Sequence, residues 1–248
     1  MKSLVIARRE WAGLFRSPLA FSVLGMVQFL LAWLFLLQID QFLEVAPRLA
    51  AIEGAPGVTD LVIAPVLSTA AALLLVIVPL LSMRAFADEQ RSGSLLLLQS
   101  SPVSSADIVL GKFLGLLGVM LLSIGLLAMM LLSLRLGSDI DIGRTLSGLA
   151  GLLLLTASFI AVGLFFSSLT QQPLLAALGS FTVLVLLWLL ESGLASGEVL
   201  GMFVAQLRHL RGLVSGYLSL AATAYFLVFI AGFLIFTTRR LEARRLTG

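Results

Sequence analysis

The sequence predicts an all-α integral membrane protein: six transmembrane helices preceded by an amphipathic interfacial helix. Three observations carry that prediction. Hydrophobic residues make up 60% of the 248-residue chain and charged residues only 12%, about half the charged share of a soluble domain. Apolar residues collect in six long runs with short polar intervals between them, and the mean hydropathy is +1.11. The basic residues flank these runs instead of forming a patch, which is the pattern of membrane topology. With a net charge of only +3, no nucleic-acid partner is expected. The absence of cysteine excludes disulfides, thiolate metal sites and cysteine nucleophiles, and one histidine leaves no zinc cluster. The whole chain, 1–248, reads as one transmembrane domain.

Residues Met1–Ser17 place Lys2, Arg9 and Arg16 seven apart on one side of a helix, with Leu4, Trp11, Leu14 and Phe15 opposite. This suits a helix lying on the membrane, its basic residues toward water and Trp11 in the headgroup zone. A plain basic leader is the alternative. The first apolar run is too long for the core of a signal peptide and no small-residue cleavage site follows it, so it is expected to remain as an anchor.

The six spans are read as Leu19–Ile39, Leu61–Met83, Ile108–Leu134, Leu146–Leu169, Leu174–Leu190 and Leu213–Phe236, most of them long enough to cross about 30 Å of hydrocarbon. With the N-terminus in the cytoplasm, Lys2, Arg8, Arg9, Arg16, Arg84, Arg91, Lys112, Arg239, Arg240, Arg244 and Arg245 lie inside. Only Arg48, Arg135, Arg144, Arg208 and Arg211 lie outside, so both termini are expected to be cytoplasmic. The first outer loop, Asp40–Asp60, reads as irregular. Pro65 and Pro79 predict kinks in the second span. Gly111, Gly115 and Gly118 give the third span a small-residue face for close helix packing, either within the chain or between subunits. Gly137–Gly143 makes an outer turn, and Ser167–Pro173 a short uncharged inner one. Spacing of Val199, Phe203, Leu207, Leu210 and Val214 predicts a short outer helix.

The charged interval Met83–Lys112 joins spans two and three on the inner side. Arg84, Asp88, Glu89 and Arg91 predict a short helix that Gly93 can end, Pro102 marks a turn, and Ser104 with Asp107 forms a capping box for span three. Two readings fit: a docking surface, or a solvated loop that only joins two spans.

Within this interval, Phe86-Ala87-Asp88-Glu89-Gln90-Arg91-Ser92-Gly93-Ser94, Ser101-Pro102-Val103-Ser104 and Leu110-Gly111-Lys112 resemble the cytoplasmic loop of ABC-2 type transporter permeases. Tyr225-Phe226-Leu227 and Leu241-Glu242-Ala243-Arg244-Arg245 resemble the end of the gliding-motility-type (Gld) branch. Where the family usually carries an acidic residue this chain has Leu96, so that charge is not carried over. The resemblance implies the permease subunit of a bacterial exporter in the inner membrane, paired with a second, identical or different, permease chain. It implies a cytoplasmic coupling helix between spans two and three, on which a separate ABC ATPase subunit docks through Arg84, Asp88, Glu89, Arg91, Ser92 and Gly93, with Pro102 shaping the loop. ATP and Mg would be bound by that partner, with no cofactor in this chain. A large periplasmic or membrane-anchored accessory protein would accompany the gliding-motility-type branch.

The sequence agrees that the ATPase lies elsewhere. A phosphate-binding loop ending at Gly111-Lys112 needs Gly at 106 and Ser or Thr at 113, where Ala106 and Phe113 stand. The rival, a secondary transporter or channel subunit, would place ionisable residues inside its spans. The mid-membrane polar set is instead Gln28, Ser68, Thr69, Ser123, Thr156, Ser158, Ser180 and Thr182, hydroxyls and an amide for which bonding to the helix backbone is the ordinary use. The lone His209, between Arg208 and Arg211, offers no nucleophile–base pair.

Overall fold

Apolar runs in a medium without water close their backbone hydrogen bonds internally, and the chain does so as helices. A computed structural model describes residues 2–16, 18–49, 56–93, 104–193 and 220–247. Its helices are α1 (Lys2–Arg16), α2 (Pro18–Leu49), α3 (Ala64–Ser82), α4 (Arg84–Arg91), α5 (Ser105–Ser133), α6 (Ile142–Leu169), α7 (Pro173–Gly193) and α8 (Leu220–Thr247). No strand occurs among the described residues. Among the described residues, five stretches are long and apolar enough to cross a membrane, and Pro173–Leu189 is a shorter apolar helix.

α6 is the central element, packed against α3, α5, α7 and α8. Leu152, Leu155, Ile160 and Leu164 are enclosed along it. α2 is peripheral: Val27, Leu31 and Phe35 face inward, while Met26, Phe29, Trp33 and Leu36 are exposed. Two close approaches onto α6 are set by glycines. A Cβ on Gly163 would stand 2.0 Å from Ser82 Oγ, so α3 and α6 meet there. One on Gly179 would stand 2.7 Å from the Phe166 ring, which seats α7 on α6.

Several boundaries differ from those read in the sequence. Asp40–Leu49, expected to be irregular, continues α2. Ile39 and Phe42 keep a three-residue spacing and pack on the core, which holds the helix together past the apolar run. Its Pro47 falls in the last turn. Span two is not one regular helix. It opens with a π turn, Thr59–Ile63, before Pro65 in the first turn of α3, and breaks at Met83. Ser167 and Ser168 belong to α6, so the turn to α7 contains only residues 170–172. The predicted outer helix around Phe203, residues 213–219 of the sixth run, and Pro102 lie outside the described residues, as do the side chains of Lys2 and Arg16.

Local signals read from sequence recur in the caps. Asp107 N–H donates to Ser104 Oγ at 3.0 Å, and the same hydroxyl donates to the Asp107 carboxylate at 2.7 Å, capping α5. Asp141 caps α6 by accepting from Arg144 N–H at 3.0 Å. Ser68, Thr69, Thr156, Ser158 and Ser180 each donate to a carbonyl three or four residues back in their own helix. Gln28 departs from that pattern: it accepts from Ser123 Oγ at 3.4 Å and reaches Met130 Sδ at 3.3 Å, linking α2 to α5.

Candidate functional site

The charged residues gather at the two ends of the bundle. At one end the Arg144 guanidinium meets Asp60 at 2.6 Å, and Asp141 N–H donates to Thr59 Oγ1, so the π turn is tied to the start of α6. At the other end lie α1, α4, the start of α5, the close of α6 and the basic tail of α8. That second end carries most of the residues singled out in the sequence.

α4 is built around a break in the α3–α4 helix. Phe86 and Ala87 N–H groups would ordinarily donate to the carbonyls of Ser82 and Met83, four residues back. Both donate instead to Ser167 Oγ, at 2.9 and 3.2 Å, and that hydroxyl donates to the Met83 carbonyl at 2.8 Å. One serine side chain on α6 is thus inserted into the ladder, a recognised cause of helix bending. The interruption falls at Met83, one turn after Pro79, and Met83 itself keeps helical backbone angles, φ −56° and ψ −33°.

The two faces of α4 differ. Phe86 and Ala87 are fully buried. Gln90 donates to the Ser168 carbonyl at 2.9 Å and accepts from Arg244 of α8. Arg84, Asp88 and Arg91, spaced four and three apart, form the exposed face and continue into exposed Ser92 and Gly93. Gly93 has φ +74°, the left-handed conformation that ends a helix and that glycine adopts without strain. An open cleft of about 460 Å³ separates Arg91 from residues 171–174, where the turn enters α7.

Glu89 takes neither the exposed face nor the position expected of a docking residue. Its Oε1 accepts from Lys112 Nζ at 2.7 Å, and the same ammonium donates to Glu10 Oε1 of α1 at 2.7 Å. Lys112 is only 2% exposed, against 26% for Glu10 and 21% for Glu89. The ammonium also stands 5.2 Å from the centre of the Phe86 ring, a distance at which the aromatic face attracts it. A buried lysine needs such partners, because desolvation of an isolated ammonium is costly. The ion triad joins α1, α4 and α5 at one point.

α1 lies directly on α5. A Cβ on Gly115 would be 2.7 Å from Glu10 Cβ and 3.2 Å from the Ala7 carbonyl, and the Trp11 indole packs over Gly118. Gly111, one turn before Gly115, is buried. The small-residue face therefore receives α1 within the same chain. Arg9 is exposed and Trp11 about half so. Sequence reasoning did not foresee the pairing of Lys112 with Glu10 and Glu89, the insertion of Ser167, or the link from Gln90 to Arg244. Lys112 and Glu10 carried a signal, the first as an ionisable residue inside an apolar run and the second as the acidic residue of α1.

Long apolar helices around an enclosed central helix, with ionic chemistry confined to the bundle ends, define a multi-pass membrane protein. No group of three or more His, Cys, Asp or Glu suited to a metal occurs among the described residues. The chain belongs to the ABC-2 family: the model described as ABC-2 family transporter protein matches residues 4–240. It is therefore a membrane permease component of an ABC transporter, whose family works with an ABC ATPase and is not itself catalytic. None of the curated proteins compared with it matches the chain.

Proposed function

We propose that this chain is the permease subunit of a bacterial ABC exporter in the inner membrane. It crosses six times with both termini in the cytoplasm, and α4 is the coupling helix on which a separate ATPase subunit docks. ATP and Mg bind to that subunit and not to this one. The α7 helix supplies the crossing that its described apolar length leaves short. A second permease chain completes the path, and a gliding-motility-type system adds an accessory protein on the outer side.

The observation that carries the reading is the two-sidedness of α4. Its inner face is bonded to α5, α6 and α8, while Arg84, Asp88 and Arg91 stand outward, Arg91 beside the cleft at residues 171–174. A helix fixed on one side and charged on the other can receive a force and pass it inward. Glu89 serves on the inner side, so the docking contact is assigned to Arg84, Asp88, Arg91 and Ser92, with Gly93 ending the helix.

Charge reversal tests this directly. Asp88→Lys with Arg91→Glu should leave the chain inserted and folded yet reduce recovery of the ATPase subunit from membranes in mild detergent by at least tenfold. Undiminished co-purification refutes the docking assignment. Glu89→Lys is unsuitable here, because it places a second cation against Lys112. The natural absence of cysteine makes orientation testable as well. Ser92→Cys should react with an impermeant thiol reagent only from the cytoplasm, and Asp139→Cys only from outside. The reverse pattern overturns the orientation.

A further inference from the structure

A second cleft, of about 230 Å³, opens between α1 and α4 and reaches the outward face of α4 at Arg84. Arg9 and Glu10 line it from α1, Arg84 and Glu89 from α4, and Leu81 and Leu116 add apolar wall from α3 and α5. Glu10 and Glu89 each give one oxygen to Lys112. The other oxygen of Glu89, Oε2, is shielded from water and has no hydrogen-bond partner among the described residues. Leaving a buried acceptor in that state costs about 1–3 kcal/mol, more when it is charged. A donor reaches it only when the Glu89 side chain turns toward the cleft whose wall it forms. Arg9 and Arg84 are exposed on the same cleft and enter no ion pair among the described residues.

Two guanidiniums and a carboxylate oxygen in want of a donor, around one small cleft, match a zwitterion. The guanidiniums suit a phosphate, which they can hold through paired N–H donors. The carboxylate suits a cation that carries N–H. The setting selects the source of that zwitterion. α1 crosses α5 at Gly115, ten residues and roughly 15 Å from the start of that membrane helix, and shows exposed Val5 and Trp11 alongside. Leu81 and Leu116 offer hydrocarbon where acyl chains would follow a headgroup.

The geometry points to a binding site for an aminophospholipid headgroup of the adjoining leaflet, with its phosphate on Arg9 and Arg84 and its primary ammonium on Glu89. A choline headgroup has no N–H to give Glu89, and a glycerol headgroup has no cation. The site is thus selective by chemistry and not merely by charge. Arg84 also belongs to the face assigned to the ATPase, whereas Arg9, Glu89 and Gly13 do not, so Gly13→Leu, which leaves that face intact, separates the two assignments.

The test is native mass spectrometry of the full-length chain in mild detergent, titrated with phosphatidylethanolamine, phosphatidylcholine and phosphatidylglycerol of matched acyl chains. Phosphatidylethanolamine should bind at least tenfold more tightly than either of the others. Arg9→Gln with Arg84→Gln should lower that affinity at least tenfold. Gly13→Leu should do the same without touching a charge, because Gly13 lines the cleft and open space surrounds the position of its absent Cβ. Asp139→Asn, exposed at the opposite end, should change nothing. Helicity and monodispersity confirm that each variant folds. Equal affinity for the three lipids overturns the assignment, and so does unchanged phosphatidylethanolamine binding by Gly13→Leu. Displacement of the lipid by equimolar glycerophosphoethanolamine would show a site for a soluble zwitterion, and the lipid assignment would fall.

Discussion

Replacing Lys112 with methionine removes one charge from the junction of three helices and keeps most of the side-chain volume. Both carboxylate oxygens sit 2.7 Å from Nζ, so they are no more than twice that distance from each other. Two like charges about 5 Å apart at an effective dielectric of about 20 repel by roughly 3 kcal/mol. Loss of one partner from a buried ion pair typically costs about 3–5 kcal/mol. Glu10 and Glu89 keep some exposure, which lets water screen them, so the lower end applies: about 3 kcal/mol. For a chain of this length, roughly 2–4 °C per kcal/mol translates that into an apparent Tm lower by about 6–12 °C. The assay is thermal unfolding of the purified chain in mild detergent, followed by tryptophan fluorescence. Adding Glu10→Gln and Glu89→Gln to Lys112→Met removes every charge of the triad and should recover most of the loss, because a neutral cluster has no buried ion to solvate. A single variant within about 2 °C of the parent, or a triple variant less stable than the single one, refutes the reasoning.

Ser167→Ala leaves two buried N–H groups and one carbonyl of the α3–α4 junction without their partner, a loss of about 2 kcal/mol; Ser167→Thr, which keeps the hydroxyl, should retain more stability in the same unfolding assay. Gly163→Ala drives a methyl group into Ser82 and should cost about 1–3 kcal/mol. Ser82→Gly in the same chain should relieve it, and strictly additive effects in that double-mutant cycle would disprove the contact. Gly93→Ala forces an L residue into the left-handed region at φ +74°, at about 1–2 kcal/mol, and should speed amide exchange in the last turn of α4 while leaving α6 unchanged; uniform exchange rates would count against the cap.

What the sequence disclosed at this end was local. The α4 helix, its glycine stop and the Ser104–Asp107 box are each written within a few consecutive residues, and propensity and capping act over that range. The last part of α2, Asp40–Leu49, was hidden because the stretch Asp40–Asp60 is rich in Ala, Pro and Gly, although Ile39 and Phe42 carried the spacing that holds it to the core. The partners of Lys112 are 23 and 102 positions away, and those of Ser167 about 80. No periodicity specifies such pairs. What the sequence offered was an anomaly: one lysine inside an apolar run, which in hydrocarbon must find a counter-charge. Glu10, the only acidic residue in α1, was the matching anomaly. Glu89 was expected to contact the ATPase because the resemblance places it in the docking helix, and in the fold it turns inward to Lys112 instead.

The connections of α4 also determine where a force applied to it would go. Spans two and three are the obvious recipients, since α4 joins them in the chain. The covalent route through α3 is nonetheless the weakest in hydrogen bonds, because the ladder is interrupted at Met83. The hydroxyl that fills the interruption belongs to α6, so α4 cannot swing on α3 without stripping Phe86 and Ala87 N–H of their acceptor. Lys112 couples the same short helix to α5 and, through Glu10, to α1, and Gln90 couples it to α8 through Arg244. A load on Arg84, Asp88 and Arg91 would therefore be shared by α1, α5, α6 and α8 together. Under the docking reading, the ATPase moves one end of the bundle as a unit, and Lys112→Met should uncouple transport from ATP hydrolysis even where the docked subunit remains bound.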